Sequence, residues 1–165
     1  MSGTIRTTRR RLLAQGATIH DEWERRLKAQ AELSVRDKRA PPPPYDTANG
    51  YLKREVYRLV RRCIAKQAVD LLQELVAKDD SSPKPTAYNE QDPFYWGFMF
   101  VCGMDKRVSR QARWRFANEL LYAHKHNVPP ELLVGFIYQI GKSDGLRERL
   151  RTGQMEEWWD SPRRA

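Results

Sequence analysis

The chain has 165 residues and a formal net charge of +9 at pH 7, with 40% hydrophobic and 31% charged residues. This composition excludes collagen, mucin and wholly disordered chains, and the length fits one domain or a core with tails. The longest nearly uncharged apolar run, 94–104, is about half the ~20 residues that a membrane-spanning helix needs. No secretory signal is recognisable, and two cysteines are too few for a disulfide framework. We therefore expect no transmembrane segment and an intracellular, reducing compartment.

The N-terminal twenty residues are basic and contain no acid before Asp21. Their arginines are Arg6, Arg9, Arg10 and Arg11. Such a segment is typical of a phosphate-binding extension, a nuclear import signal or a mitochondrial transit peptide. A merely solvated end is the fourth alternative. Nucleus and mitochondrion are therefore both open as locations.

A first helix is predicted from Thr18 to about Arg39, with Thr18 as its cap and apolar residues recurring every four positions. The apolar stripe is narrow, so Trp23 has to dock either on the core or on a partner. Four prolines from Pro41 end the helix. We accordingly divide the chain into a basic arm with an amphipathic helix (1–40), a proline-rich linker (41–50), a helical core domain (51–153) and an acidic, aromatic tail (154–165).

The core domain is predicted to be helical throughout. After a turn signal at Asn49-Gly50, the strongest helix runs from Tyr51 to about Ala77, and a polar loop follows to about Gln91. Apolar residues then predict a short buried helix over 94–104 and further helices over about 110–126, from 130 to 140, and before 153. Caps and stops at the ends of these helices are expected at Asp92, Ser109, Gly141, Ser143 and Gly153. The sum is a mainly α fold, a small orthogonal bundle of about five to seven helices with a basic helical arm.

The sequence contains no recognisable catalytic motif. The segment from Gly135 to Ser143 reads G-x-x-x-x-x-G-K-S, which is one residue too long for a phosphate loop and is explained by a glycine that ends a helix. His124 and His126 are two apart on a helix and point in different directions. Cys63 and Cys102 lie within apolar patterns, as small core residues do. We therefore expect no enzyme, no metal site and no cofactor.

The sequence contains more features typical of a binding protein than of an enzyme. Arg54, Arg58, Arg62 and Lys66 recur every four positions on one helix face, so they could follow a phosphate backbone. Trp114 and Tyr122 are candidate stacking partners near Arg113 and Arg115. The alternative is an ordinary solvated face. With the basic arm added, the sequence predicts a non-enzymatic protein that binds RNA or nonspecific DNA. The predicted phosphate contacts are Arg6, Arg9, Arg10, Arg11, Arg54, Arg58, Arg61, Arg62 and Lys66.

A second signal is the segment Pro41-Pro42-Pro43-Pro44-Tyr45, which contains a P-P-x-Y match. Such preformed polyproline segments bind WW domains. Over these five residues the segment resembles the late-domain motif of matrix and Gag polyproteins of enveloped viruses. That resemblance implies an adaptor or structural assembly protein that recruits a WW-domain partner through Pro42, Pro43, Pro44 and Tyr45. A stiff spacer is the alternative.

Three tryptophans favour a further possibility, a homo-oligomer or a subunit of a larger complex. Trp23, Trp158 and Trp159 stand in otherwise charged segments, where large aromatic side chains are typical of interface anchors. They could equally fold back on the core of their own domain.

Overall fold

The computed structural model describes residues 2–36, 47–79, 92–103, 105–142 and 144–160, with side chains of the first helix covered from 8 to 34. Within these ranges the chain forms seven α-helices, one 3-10 turn (Pro130–Leu132) and no strand. The helices are α1 (Ser2–Arg36), α2 (Ala48–Ala65), α3 (Val69–Ala77), α4 (Pro93–Cys102), α5 (Arg110–Lys125), α6 (Leu133–Ile140) and α7 (Leu146–Thr152). The mainly α, small helical fold predicted from the sequence is confirmed.

The first helix is longer than predicted. It begins at Ser2, and Thr18 is not a cap, because its hydroxyl donates to the carbonyl oxygen of Ala14 inside the helix at 2.9 Å. Leu12, Ile19 and Trp23 are buried along one side of α1 and join the core of the other helices. The segment around the arginines therefore belongs to a helix whose apolar stripe packs on the rest of the protein.

The predicted single helix over 51–77 is wrong, because the chain forms two helices there, α2 and α3. The chain turns at Gln67, which adopts a left-handed conformation with φ of +53°. The N–H of Ala68 donates to the carbonyl oxygen of Cys63 at 2.8 Å, and that of Gln67 donates to Ile64 at 3.1 Å. These two bonds are the Schellman pattern that ends a helix. Apolar spacing continues through the turn because both helices face the same core.

The start of α2 also differs from the prediction. The Oγ1 atom of Thr47 accepts a hydrogen bond from the N–H of Gly50 at 2.9 Å, which makes Thr47 the cap. Asn49 and Gly50 therefore lie in the first turn of a helix and not in a connecting turn. Gly50 is buried there, and a small residue suits that packing.

Most of the other predicted helix ends are confirmed. The Asp92 carboxylate accepts from the N–H groups of Phe94 and Tyr95 at 2.9 and 3.4 Å, and Ser109 accepts from Ala112 at 3.1 Å. Gly141 and Gly153 end α6 and α7 with positive φ, as glycine stops do. The predicted cap Ser143 is wrong, because α7 begins at Leu146 and its N-cap is Gly145, two residues further along the chain.

Helix α4 forms the centre of the core. It packs against α1, α2, α3 and α5. Gly97 lies where α4 crosses α2, and a Cβ atom there would collide with the side chain of Val60, so the glycine permits the close approach of the two helices. Phe94 and Phe98 extend from the same helix and are fully buried. This packing fixes how the polar faces of α1, α2 and α5 are presented to solvent.

Candidate nucleic-acid interface

Two of the predicted phosphate contacts on α2 are held by an acid on the same helix. Glu55 Oε1 lies 2.6 Å from Arg58 Nη1 and 3.7 Å from Arg54 Nε. A second acid, Glu131, reaches Arg58 at 3.7 Å. Both guanidinium groups are therefore already balanced by carboxylates, which weakens their attraction for a phosphate.

A third predicted contact, Arg61, has a structural role. Its Nη1 donates to the carbonyl oxygen of Val128 at 2.8 Å, and the hydroxyl of Tyr57 donates to the same oxygen at 2.7 Å. The guanidinium also lies 5.3 Å from the ring centroid of Tyr57. Arg61 thus ties α2 to the turn that follows α5.

The last two predicted contacts, at the end of α2, face α1 across a cleft of about 260 Å³. Arg11 comes from α1, and Arg62 and Lys66 come from the end of α2. All three are exposed, and none of the carboxylates that the structure describes forms an ion pair with them. The rest of the lining is Thr8, Gln15, Leu12, Leu59, Cys63 and Ala68. We call this site the α1–α2 cleft.

The other arginines of the basic segment differ from one another. Arg9 pairs with Glu74 of α3 at 2.7 Å, and this arginine and Lys78 together lower the pKa of the Glu74 carboxyl. Arg10 is exposed and has no ion-pair partner among the described residues. The side chain of Arg6 lies outside the described residues. Arg10, Arg11, Arg62 and Lys66 are therefore the predicted contacts that the structure leaves available.

Charge is segregated along α1. Toward its C-terminal end, Glu22 accepts from Arg25 at 2.6 Å and from Arg26 at 2.9 Å. The two guanidinium groups lower the pKa of Glu22 to about 2. Toward the N-terminal end, Arg10 and Arg11 have no such partners among the described residues. Two arginines without a described ion-pair partner therefore lie toward the N-terminal end of α1, and one of them, Arg11, lines the α1–α2 cleft.

The predicted stacking residues are only partly available. Tyr122 is 1% exposed and its hydroxyl donates to Glu156 at 2.8 Å, so its prediction as a stacking partner is wrong. Arg113, which the sequence placed beside it, is buried and donates to the carbonyl oxygen of Gly103 at 2.5 Å. Trp114 and Arg115 lie on a different face of α5, where they line a cleft of their own.

Two of the three candidate interface tryptophans fold back on the protein's own core. Trp23 is 0% exposed and its Nε1 donates to Asn49 Oδ1 at 3.2 Å, so it cannot anchor a partner in this conformation. Trp159 is half-buried and donates to the carbonyl oxygen of His126 at 2.9 Å. Trp158 remains 46% exposed while its ring contacts Phe136. The segment with Pro42, Pro43, Pro44 and Tyr45 lies outside the described residues, and WW-domain binding stays a prediction.

Burial affects both cysteines and His124. Cys63 and Cys102 are buried, and this burial raises the pKa of both thiols, to about 12 for Cys102. Burial lowers the pKa of His124, which favours the neutral imidazole. No three His, Cys, Asp or Glu side chains of the described ranges are grouped as metal ligands would be.

Comparison of the chain with protein-family models, with curated proteins and with solved structures found no match. None of the helices described has the length and apolar character needed to cross a membrane. The proposals that follow therefore depend on the geometry of the surface itself.

Proposed function

We propose that this protein binds nucleic acid through the α1–α2 cleft and that it does so without catalysis. The observation that carries the proposal is the convergence of Arg11, Arg62 and Lys66 from two helices on one cleft, with no described carboxylate to balance them. All three cations line one cleft of about 260 Å³, so charges of the same sign share a small volume. A polyanion that enters the cleft relieves this repulsion and releases its own counterions.

The lining suits phosphate groups in particular. Arginine offers a planar fork of donors that matches two phosphate oxygens, and lysine adds a point charge beside it. Thr8 and Gln15 line the α1 side of the same cleft and are polar. The apolar floor, which includes Leu12 and Leu59, supports the long stems of the basic side chains. None of these contacts reads a base, so the cleft supports affinity and not sequence specificity.

The proposal is tested by titrating the purified protein into fluorescently labelled single-stranded RNA, single-stranded DNA and duplex DNA at several salt concentrations. We expect tight binding at about 50 mM salt and a linear loss of log affinity with log salt, at about 0.7 to 0.9 per neutralised phosphate. The double variant Arg62→Glu, Lys66→Glu should bind weakly and lower that slope by one to two phosphate contacts.

A matched control is available at the start of α5. Lys106 and Arg110 are exposed and have no ion-pair partner among the described residues, so Lys106→Glu, Arg110→Glu changes the net charge by the same amount. Acidic residues near a helix N-terminus also suit the helix dipole, so this variant should fold. Equal loss of affinity in both double variants would show that only net charge matters. Absence of binding at low salt would overturn the proposal.

A further inference from the structure

We infer that a second cleft, between α5 and the start of α7, holds an unpaired base of a single-stranded nucleic acid. Its ligand class rests on the proposed function, but its residues are different from those of the α1–α2 cleft. The inference adds a preference for single strands to a binding site that otherwise recognises only phosphate.

The cleft is built on one face of α5. Gln111, Trp114, Arg115 and Asn118 are spaced at i, i+3, i+4 and i+7, which places them in a row along the helix. Gly145 and Arg147 close the other side. The cleft is open to solvent and has a volume of about 530 Å³, in the range of small-molecule sites. We call this site the α5–α7 cleft.

Asn118 is the polar group that points to a ligand. It is only 8% exposed and lines the cleft, and its amide has no hydrogen-bond partner among the described residues. The amide nitrogen and oxygen of Asn118 are open to the cleft, so a ligand edge that both donates and accepts can bond to both of them. The edge of an adenine base does both, and asparagine and glutamine are the usual partners of that edge. Gln111 supplies a second amide one helical turn beyond Trp114.

Trp114 supplies the stacking surface. Its side chain is half-buried against the core, which fixes the orientation of the indole before any ligand arrives. The guanidinium of Arg147 lies 5.6 Å from its ring centroid. Aromatic and guanidinium planes are the groups on which unpaired bases stack in single-strand sites. In duplexes the bases are stacked on one another, so a site of this kind selects single strands.

The charges of the cleft favour a base over an isolated phosphate. Arg115 and Arg147 are positive, but the exposed carboxylate of Asp144 lines the same space. The α1–α2 cleft, by contrast, has basic residues and no acid in its lining. The α1–α2 cleft therefore attracts phosphate groups, and the α5–α7 cleft contacts a base.

The test compares two labelled single-stranded DNA probes of about twelve nucleotides, within the length that such sites span. One is an oligoadenylate and the other is an abasic strand of equal charge. We expect the oligoadenylate to bind at least about tenfold more tightly. Asn118→Ala and Gln111→Ala should each reduce this preference, while Gln139→Ala, which removes an exposed amide on α6, should leave it unchanged. Arg62→Glu, Lys66→Glu should weaken both probes by the same factor.

Folding does not obscure the result. Asn118→Ala removes no side-chain hydrogen bond within the described ranges, and Arg147→Ala changes an exposed residue on the opposite wall and should lower the preference as well. Equal binding of the two probes by the wild-type protein would overturn the base site and leave the α1–α2 cleft standing. Failure of both probes to bind would overturn the proposed function itself. Tight binding of adenosine monophosphate, at an affinity equal to that of the oligoadenylate, would assign the cleft to free nucleotides and overturn the single-strand assignment.

Discussion

The backbone N–H of Glu156 donates a hydrogen bond to Nε2 of His126 at 2.9 Å, across 30 residues of sequence. The other ring nitrogen of His126 bonds the carbonyl oxygen of Tyr122 at 2.8 Å. The two bonds together require the imidazole proton on Nδ1. Since Trp159 donates to the carbonyl oxygen of His126, the segment over 156–159 is attached to the end of α5 by its backbone and by side chains.

This attachment predicts an asymmetry between two tyrosines. Tyr122→Phe removes the hydroxyl that donates to Glu156 at 2.8 Å, and we expect it to lower the free energy of unfolding by about 1 to 2 kcal/mol. Tyr138 is 71% exposed, so Tyr138→Phe should change stability by less than about 0.5 kcal/mol. Urea denaturation of both variants measures the difference. Equal stabilities would mean that the hydroxyl of Tyr122 contributes nothing.

Adjacent leucines on α1 test whether the basic helix is docked on the core. Leu12 is 7% exposed and lies on the floor of the α1–α2 cleft, whereas Leu13 is 50% exposed. Leu12→Ala should cost about 2 to 4 kcal/mol because it leaves a cavity, and Leu13→Ala should cost less than about 0.5 kcal/mol. Thermal and urea unfolding report both values. A small effect of Leu12→Ala would show that α1 is not held on the core in solution.

Two helical glycines should respond to alanine in opposite ways. A Cβ atom at Gly97 would collide with Val60, so Gly97→Ala must push α4 away from α2 and should destabilise the protein by about 1 to 3 kcal/mol. Gly135 in α6 has nothing within 4 Å of the same position. Gly135→Ala should therefore stabilise it by about 0.5 to 1 kcal/mol, through the higher helix propensity of alanine. The sign of the change in unfolding midpoint decides the prediction.

Asp92 gives a dependence of stability on pH. Its partial burial raises the pKa of the carboxyl to about 6, although the N–H groups of Phe94 and Tyr95 oppose that shift. Between pH 6 and about 4, the folded state holds a proton that the unfolded state has lost, so acidification over this interval should favour folding at this site. Above pH 6 the Asp92 carboxylate is charged and partly buried in the folded state, which lowers the free energy of unfolding.

The variant Asp92→Asn keeps a good helix cap and removes that cost. At pH 8 it should be more stable than the wild type by about 1 to 3 kcal/mol, and the gain should shrink toward pH 4. Asp160→Asn, at an exposed acid, provides the comparison and should show no such trend. A gain at Asp92 that stays constant with pH would contradict the titration and point to packing alone.

Local signals predicted the ends of the helices where one residue decides the geometry. Each of these residues acts on backbone groups a few positions away. They are Asp92 before a proline, Ser109 with its hydroxyl, and Gly141. The break at Gln67 had no such signal, because a glutamine in the left-handed region is tolerated only through the contacts of the two helices that meet there.

The site was less predictable for the same physical reason. Spacing on α2 groups Arg58 with Arg62, but within the described ranges only Arg58 is paired with carboxylates, those of Glu55 on the same helix and of Glu131 far along the chain. Arg11 joins Arg62 only because α1 packs on α2. Helical spacing predicts that one face of α5 carries Gln111, Trp114, Arg115 and Asn118. Only the position of α7 opposite that face shows that these residues line a cleft.

The glycine at position 16 links the core to the charged surface. A Cβ atom there would lie 2.7 Å from a ring carbon of Phe100, so the absence of a side chain sets how closely α1 rests on α4. Since Arg11 lies just over one turn away on the same rigid helix, that contact also sets how far its guanidinium stands from Arg62. The placement of these cations therefore depends on the interior of the protein, and a methyl group added at position 16 would first have to displace the ring of Phe100.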